Sequence, residues 1–275
     1  MKGHSEMNLL FRRETPDDYY AVEAMTRETF WDFWEEDEGR TICNEHMLVY
    51  KLRHVKALVP ELNCVAELDG KIVGHIIYTK SWIEAGDGKT HEMLTFGPLT
   101  VMPEYQNRGI GRALMQYTFD KAKELGYKAV LIFGHPDYYP RVGFKHAADF
   151  GITTTDGSTF DAFLVYELYD GALDGIHGKY HIDSIYMQLT EEETLEYDKR
   201  FPPKEFHTHT PIDVLLNRLE PDAAKGIREK GFKSIDILKS ISEREIAAFQ
   251  GMDAKAIETV REVMKEHNFP WGAEK

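Results

Sequence analysis

Apolar and polar positions fall into blocks between residues 8 and 168, each with the period of a strand or a helix. NLLFRRE (8–14) has the apolar centre of a first strand. Pro16 and Asp17 mark a helix start before YYAVEAMTRETFWDF, where Ala21, Met25 and Phe30 lie near one face. A second helix is expected within 40–57, ahead of Pro60. NCVAEL (63–68), Asp69-Gly70 and KIVGHIIYTKSWI (71–83) read as a β-hairpin, since Asp-Gly favours the tight turn. After the GDGK turn, HEMLTFGPLTV (91–101) is a strand bulged around Gly97 and Pro98, which interrupt a regular ladder. The next helix begins near Gly109, carries Ile110, Leu114 and Tyr117 on one side, and ends at Gly126. KAVLIFG (128–134) and TFDAFLVYEL (159–168) are strands, with HPDYYPRVGF (135–144) a short helix and turn. This alternation predicts an α/β fold.

Beyond 168 the pattern changes. LYDGALDGIHGK is an irregular crossing segment, YHIDSIYMQL can add a short strand, and TEEETLEYDKRF is helical up to Pro202 and Pro203. Short helices are expected at about 211–219, 222–230, 234–239, 242–249 and 253–267, punctuated by Pro221, Gly231, Gly251 and Asp253. The expected organisation is a first domain over 1–168, an extension and linker over 169–210, and a small all-α domain over 211–275.

The chemistry concentrates in LTVMPEYQNRGIGRALMQYTF (99–119). A strand ends, a short loop follows, and Gln106-Asn107-Arg108-Gly109-Ile110-Gly111 opens a helix. Two glycines let backbone approach an anion, and the free amides of a helix N-terminus can hold phosphate oxygens. Arg108 and Arg112 can add charge-assisted contacts. The segment is neither a dinucleotide-binding GxGxxG nor a P-loop, because GRALM lacks the closing Gly-Lys-Ser/Thr.

In this stretch the sequence resembles the GNAT N-acetyltransferases. Gln106, Gly109 and Gly111 match their pyrophosphate-binding pattern Gln/Arg-x-x-Gly-x-Gly/Ala, and YYPRVGF (138–144) resembles their later Tyr-x-x-x-Gly-Phe element through Tyr139 and Gly143. The resemblance covers about 8–168. It implies a mixed, mostly antiparallel central sheet flanked by helices, with acetyl-CoA as co-substrate. It further implies strand splaying near 97–101, pantetheine pairing around Leu99 and Val101, and pyrophosphate on 106–112, Ile110 included. Tyr139 is implied as proton donor to the departing thiolate, a role a positioned phenol can fill; an aromatic cluster covering the sheet is the plainer alternative.

For the general base, Glu92 and His91 start the strand leading to the acetyl slot, His75 lies on the preceding strand, and His135 follows the 128–134 strand. Imidazole has the protonation range for the task. Phe30, Trp31, Trp34 and Glu35 belong to an aromatic and acidic run, 26–40, that can hold a cationic amine acceptor. Alternatively this run is an amphipathic helix with its carboxylates in water.

Composition narrows the setting. The chain has 275 residues, 42% of them hydrophobic, enough for a substantial core. It has no apolar run long enough for a membrane span or secretory signal, and two cysteines without zinc spacing, so a cytoplasmic protein without a metal is expected. A net charge of -14 argues against a general polyanion binder. Residues 208–275 carry 11 Lys+Arg against 12 Asp+Glu, leaving -13 on the preceding chain. Segment 215–267 resembles the helix-hairpin-helix module that ends the RNA polymerase alpha subunit. Asp253 stands where nucleic-acid-binding hairpins often have a glycine, so a protein partner or homodimer contact is expected there, with nucleic acid disfavoured. The leading function is N-acetyl transfer to a small-molecule or peptide amine. A non-enzymatic acyl-CoA sensor and a nucleic-acid-associated acetyltransferase are the competing readings.

Overall fold

Strand β1 (Leu9–Arg13) is followed by Thr15, whose backbone and hydroxyl both bond the Asp18 carboxylate and turn the chain into helix α1 (Tyr19–Phe30). The computed structural model describes residues 9–31, 43–204, 210–232 and 234–267. Next come α2 (Glu45–Leu52), β2 (Cys64–Leu68), β3 (Lys71–Glu84) and β4 (Thr90–Val101). Asp69 and Gly70 both have positive φ, 50° and 81°, as the tight β2–β3 turn requires. Helix α3 (Ile110–Glu124) leads to β5 (Ala129–Phe133). The shorter β6 (Lys145–His146), β7 (Ile152–Thr153), β8 (Phe163–Glu167), β9 (Gly178–His181) and helix α4 (Glu191–Asp198) follow. The strand expected from 159 begins at Phe163, because the Phe163 amide bonds the Phe160 carbonyl and makes a turn of the preceding residues.

These strands form one mixed sheet in the order β1-β2-β3-β4-β5-β8-β6. Along that path every pair is antiparallel except β4 with β5. Helix α3 packs Ile110, Leu114, Met115 and Phe119 against Val73, Tyr78, Leu94 and Ile132 on one face. On the other face α1 and α2 place Val22 and Val49 over Val65. The segment after 168 belongs to this unit, which runs from 1 to 203: β9 pairs with the far end of β3, Trp82 opposite His181. Among the described residues no helix is long and apolar enough to cross a membrane.

Residues 204–275 form a second compact unit. Its helices are α5 (Asp213–Leu216), α6 (Pro221–Arg228), α7 (Glu243–Ala247) and α8 (Ala254–Glu266), with a 3-10 turn over Ile235–Ser240. Leu215, Ile227, Leu238, Ile246 and Val260 form its core. Asp253 caps α8, its carboxylate accepting the Ala256 amide at 2.8 Å. Gly226 lies flat against the Gln250 backbone, where an added Cβ would meet the Gln250 carbonyl oxygen at 2.2 Å. Gly226→Ala should therefore lower this unit's stability by about 1–3 kcal/mol, measured as an earlier urea transition.

Candidate functional site

The two parallel strands at the sheet centre, β4 and β5, part company after a short contact. β4 and β5 share a single register pair, Leu94 with Val130. Beyond it β4 carries a bulge: Ile76 pairs with Leu99 and Tyr78 with Phe96, so Gly97 and Pro98 stand opposite Ile77 alone. Between the diverging strands opens a cleft of about 860 Å³, within the usual range for small-molecule sites. Leu99 and Val101 line it from β4, Ile132 and Phe133 from β5, and Gly134 from just beyond β5.

The loop beyond β4 closes one end. Gln106 reaches back, its side-chain amide donating to the Val101 carbonyl at 3.0 Å. Asn107 takes φ 59° and Gly109 φ 81°, and this left-handed pair swings the chain into α3. The first intrahelical bond is that of Ala113 to the Gly109 carbonyl at 2.9 Å, so the amides of Ile110, Gly111 and Arg112 precede it. Gly111 lies under Tyr138, whose hydroxyl would be 3.7 Å from an added Cβ. Gln106, Asn107, Gly109, Ile110, Gly111 and Arg112 all line the cleft. Arg108 is not among the lining residues, and its guanidinium lies over the Tyr105 ring at 5.3 Å.

Tyr139 starts a 3-10 turn, Tyr139–Val142, that Gly143 ends at φ 104°. Its ring rests on the backbone of Gly134, where an added Cβ would lie 2.5 Å from the ring, and it packs against Phe96 and Phe144. Gly134 is therefore needed to seat the tyrosine. Burial, reinforced by the adjacent Tyr138, holds the Tyr139 phenol well above its usual pKa, so it stays protonated at working pH. His135 also lines the cleft and is exposed, with its Nδ1 accepting the Asp137 amide at 3.2 Å.

Other candidates lie elsewhere. Glu92 is four residues along β4 from Phe96, a span of about 13 Å at ~3.3 Å per residue. Its carboxylate is exposed and paired with Lys80 at 3.0 Å, outside the cleft lining. His75 is fully buried beneath α1 and α2, where burial pushes its pKa well below the ordinary range. Its Nε2 sits 2.8 Å from the Asn63 side-chain oxygen. Phe30 lines the cleft, and Trp31 is buried with the Arg27 guanidinium 4.2 Å above its ring. Trp34 and Glu35 lie outside the described residues. Gly134 and Phe133 are lining residues that the sequence pattern does not single out. Among the described residues no group of three or more His, Cys, Asp or Glu could hold a metal ion.

The acetyltransferase (GNAT) family model matches residues 17–144. The chain is 32% identical over 176 residues to the uncharacterized N-acetyltransferase YhbS of Escherichia coli (strain K12), a match covering 63% of this chain and 96% of that one. It is 36% identical over 101 residues to the uncharacterized N-acetyltransferase YjhQ of the same strain, covering 37% and 55%. Among solved structures, the GNAT family N-acetyltransferase YhbS from Escherichia coli in complex with CoA superposes with TM-score 0.58 at 26% identity, covering 69% of this chain and 98% of that one. A GNAT family acetyltransferase from Brucella melitensis in complex with acetyl-CoA gives 0.51 at 24% identity over 66% and 99%, a likeness of fold.

Proposed function

The chain belongs to the GNAT acetyltransferase family, and on that premise we propose that it transfers the acetyl group of acetyl-CoA to a primary amine of a small molecule or peptide, by direct attack in a ternary complex. The observation that carries this reading is one continuous cleft, with unpaired helix-entry amides at one end, splayed strands along it and a protonated tyrosine beside it.

In this reading the pyrophosphate meets the amides of 109–112 and the Arg112 guanidinium, and backbone groups near Leu99 and Val101 pair with the pantetheine arm. The neutral amine attacks the thioester carbonyl carbon, forming the C–N bond. Collapse then breaks the C–S bond, and the sulfur leaves as a thiol with a proton from Tyr139, which solvent restores. The proton shed by the amine passes to His135, directly or through water. The CoA complex of the YhbS relative supports the cofactor part of the scheme. For the second unit, the cap made by Asp253 and the near-neutral local charge support docking to protein over nucleic acid.

Acetyl-CoA affinity tests the anion cradle. A Cβ at Gly109 would touch no protein atom within 4 Å, but its φ of 81° is costly for a branched side chain. Gly109→Val should therefore weaken acetyl-CoA binding by about tenfold or more by turning the amides away, with the rest of the unit folded. Isothermal titration with a circular-dichroism control reads both. Full affinity in the folded variant would remove 106–112 as the pyrophosphate site.

A further inference from the structure

Strand β5 has a burial pattern that its sequence does not explain. Ala129, Val130, Leu131 and Ile132 are buried, and then Phe133 is 46% exposed. Side chains alternate across a sheet, so Ile132 joins the core under α3 while Leu131 joins Met93, Phe163 and Tyr180 on the opposite face. Phe133 follows on that second face. Strand β9 covers Leu131 with Tyr180, whose hydroxyl bonds the Leu131 carbonyl at 3.3 Å, but leaves the edge of Phe133 open. Beside it lies Phe160, also 46% exposed, with ring centroids 5.4 Å apart.

The pair is rigidly supported. Phe133 packs tilted against Phe163 at 5.1 Å and meets Tyr180 edge-on at 6.1 Å, and Phe160 rests on Phe163 at 6.0 Å. Phe163 and Tyr180 are themselves buried. Two exposed rings on a buried aromatic base are costly to leave in water unless something covers them. Phe133 also lines the cleft, so the patch is continuous with the place where the acetyl group would be exchanged. The α3 face of the cleft holds the anion cradle and Tyr139, which leaves this second face for the acceptor.

Resting on the acetyltransferase reading above, we propose that Phe133 and Phe160 form the acceptor wall, and that the acceptor is a monoamine carried by an aromatic or branched apolar group. Charge supports the choice. Among the described lining residues Asp137 is the one carboxylate, so the walls they form offer a single anionic group to an acceptor's ammonium.

The test compares phenethylamine, ethylamine and spermidine as acceptors for the full chain at saturating acetyl-CoA, following thiol release. Covering an aromatic ring in this way corresponds to about a 10–100-fold preference in kcat/KM for phenethylamine over ethylamine. Phe160→Ala should reduce the phenethylamine kcat/KM by about 5–30-fold, mainly through KM, and Phe160→Leu should recover part of it. Acetyl-CoA affinity should not change, and the ethylamine kcat/KM should fall by a much smaller factor than that of phenethylamine. Calorimetry of phenethylamine binding to the CoA-loaded protein supplies a readout independent of chemistry. Binding that weakens in Phe160→Ala, without acetylated product, would keep the wall and overturn the transferase reading. Acetylation of all three amines at similar kcat/KM, or with no change in Phe160→Ala, would overturn the wall and keep the transferase. Neither binding nor preference for phenethylamine would overturn the wall outright.

Discussion

Tyr139→Phe should lower the chemical rate of acetyl transfer by about 10²–10⁴-fold while leaving acetyl-CoA affinity and folding nearly unchanged. The ring is what the fold uses: it sits on Gly134 and packs against Phe96 and Phe144, and the variant keeps all three contacts. The hydroxyl is what the chemistry uses. A phenol held above its ordinary pKa is a weak acid toward a finished thiolate, so the proton it gives moves as the C–S bond breaks, while charge develops on sulfur. Because Tyr139 does not titrate in the working range, the pH–rate profile between about pH 6 and 9 should be lowered as a whole without changing shape. Rapid mixing with a pre-bound amine separates this from slow product release. Tyr138, 41% exposed, provides the control, and Tyr138→Phe should have a small effect. A wild-type rate in Tyr139→Phe together with a slow Tyr138→Phe would transfer the donor role to Tyr138.

The parts of this site that the sequence reveals are local ones. The helix entrance at 106–112 is a run of seven residues whose glycines, arginines and preceding strand are adjacent in the chain, so its geometry follows from its spelling. The Asp69-Gly70 turn and the Tyr139–Phe144 segment are legible for the same reason. Sequence leaves the distance of Glu92 from the cleft open, because a strand's direction places a residue along the sheet only once its length is known. β4 has 12 residues, and its two ends serve different surroundings. Gly134 carries no sequence signal of its own: its need for a bare α-carbon arises from a ring five residues later folding back on it. β9 reads as a short strand in sequence, but its docking on the far end of β3, and hence the open edge of Phe133, depends on pairing across about a hundred residues.

The least legible feature yields the largest expected effect on stability. Glu14, Glu23, Arg53, Asn63 and His75 are scattered over five elements or their junctions, and nothing in their sequence spacing brings them together. In the structure the Arg53 side chain is 2% exposed and grips Glu14 with Nε at 3.0 Å and Nη2 at 2.6 Å. Its Nη1 bonds Glu23, and its guanidinium lies 4.1 Å over the Tyr19 ring. Asn63 donates to Glu14 at 2.6 Å and also meets His75. One cation thus ties α1, α2 and the β1 end together on the sheet face opposite α3.

Arg53→Met keeps much of the side-chain volume and removes the charge, leaving Glu14 with Asn63 and Glu23 with the Tyr197 hydroxyl at 2.7 Å. Removing one partner from a buried ion pair costs about 3–5 kcal/mol, and that loss is expected in urea unfolding near pH 8. Its pH dependence has a definite sign. Burial already raises the Glu14 pKa above the ordinary 4.5 while Arg53 pulls it down, so in the variant it rises further. The native variant then holds a proton that the unfolded chain has released. Stability therefore falls as pH rises from about the unfolded value toward the folded one. The deficit relative to the parent protein should be smaller at about pH 5.5 than at about pH 8. A loss below about 1 kcal/mol, or a deficit that grows toward acid, would mean that Arg53 and Glu14 are not the buried pair that holds these elements together.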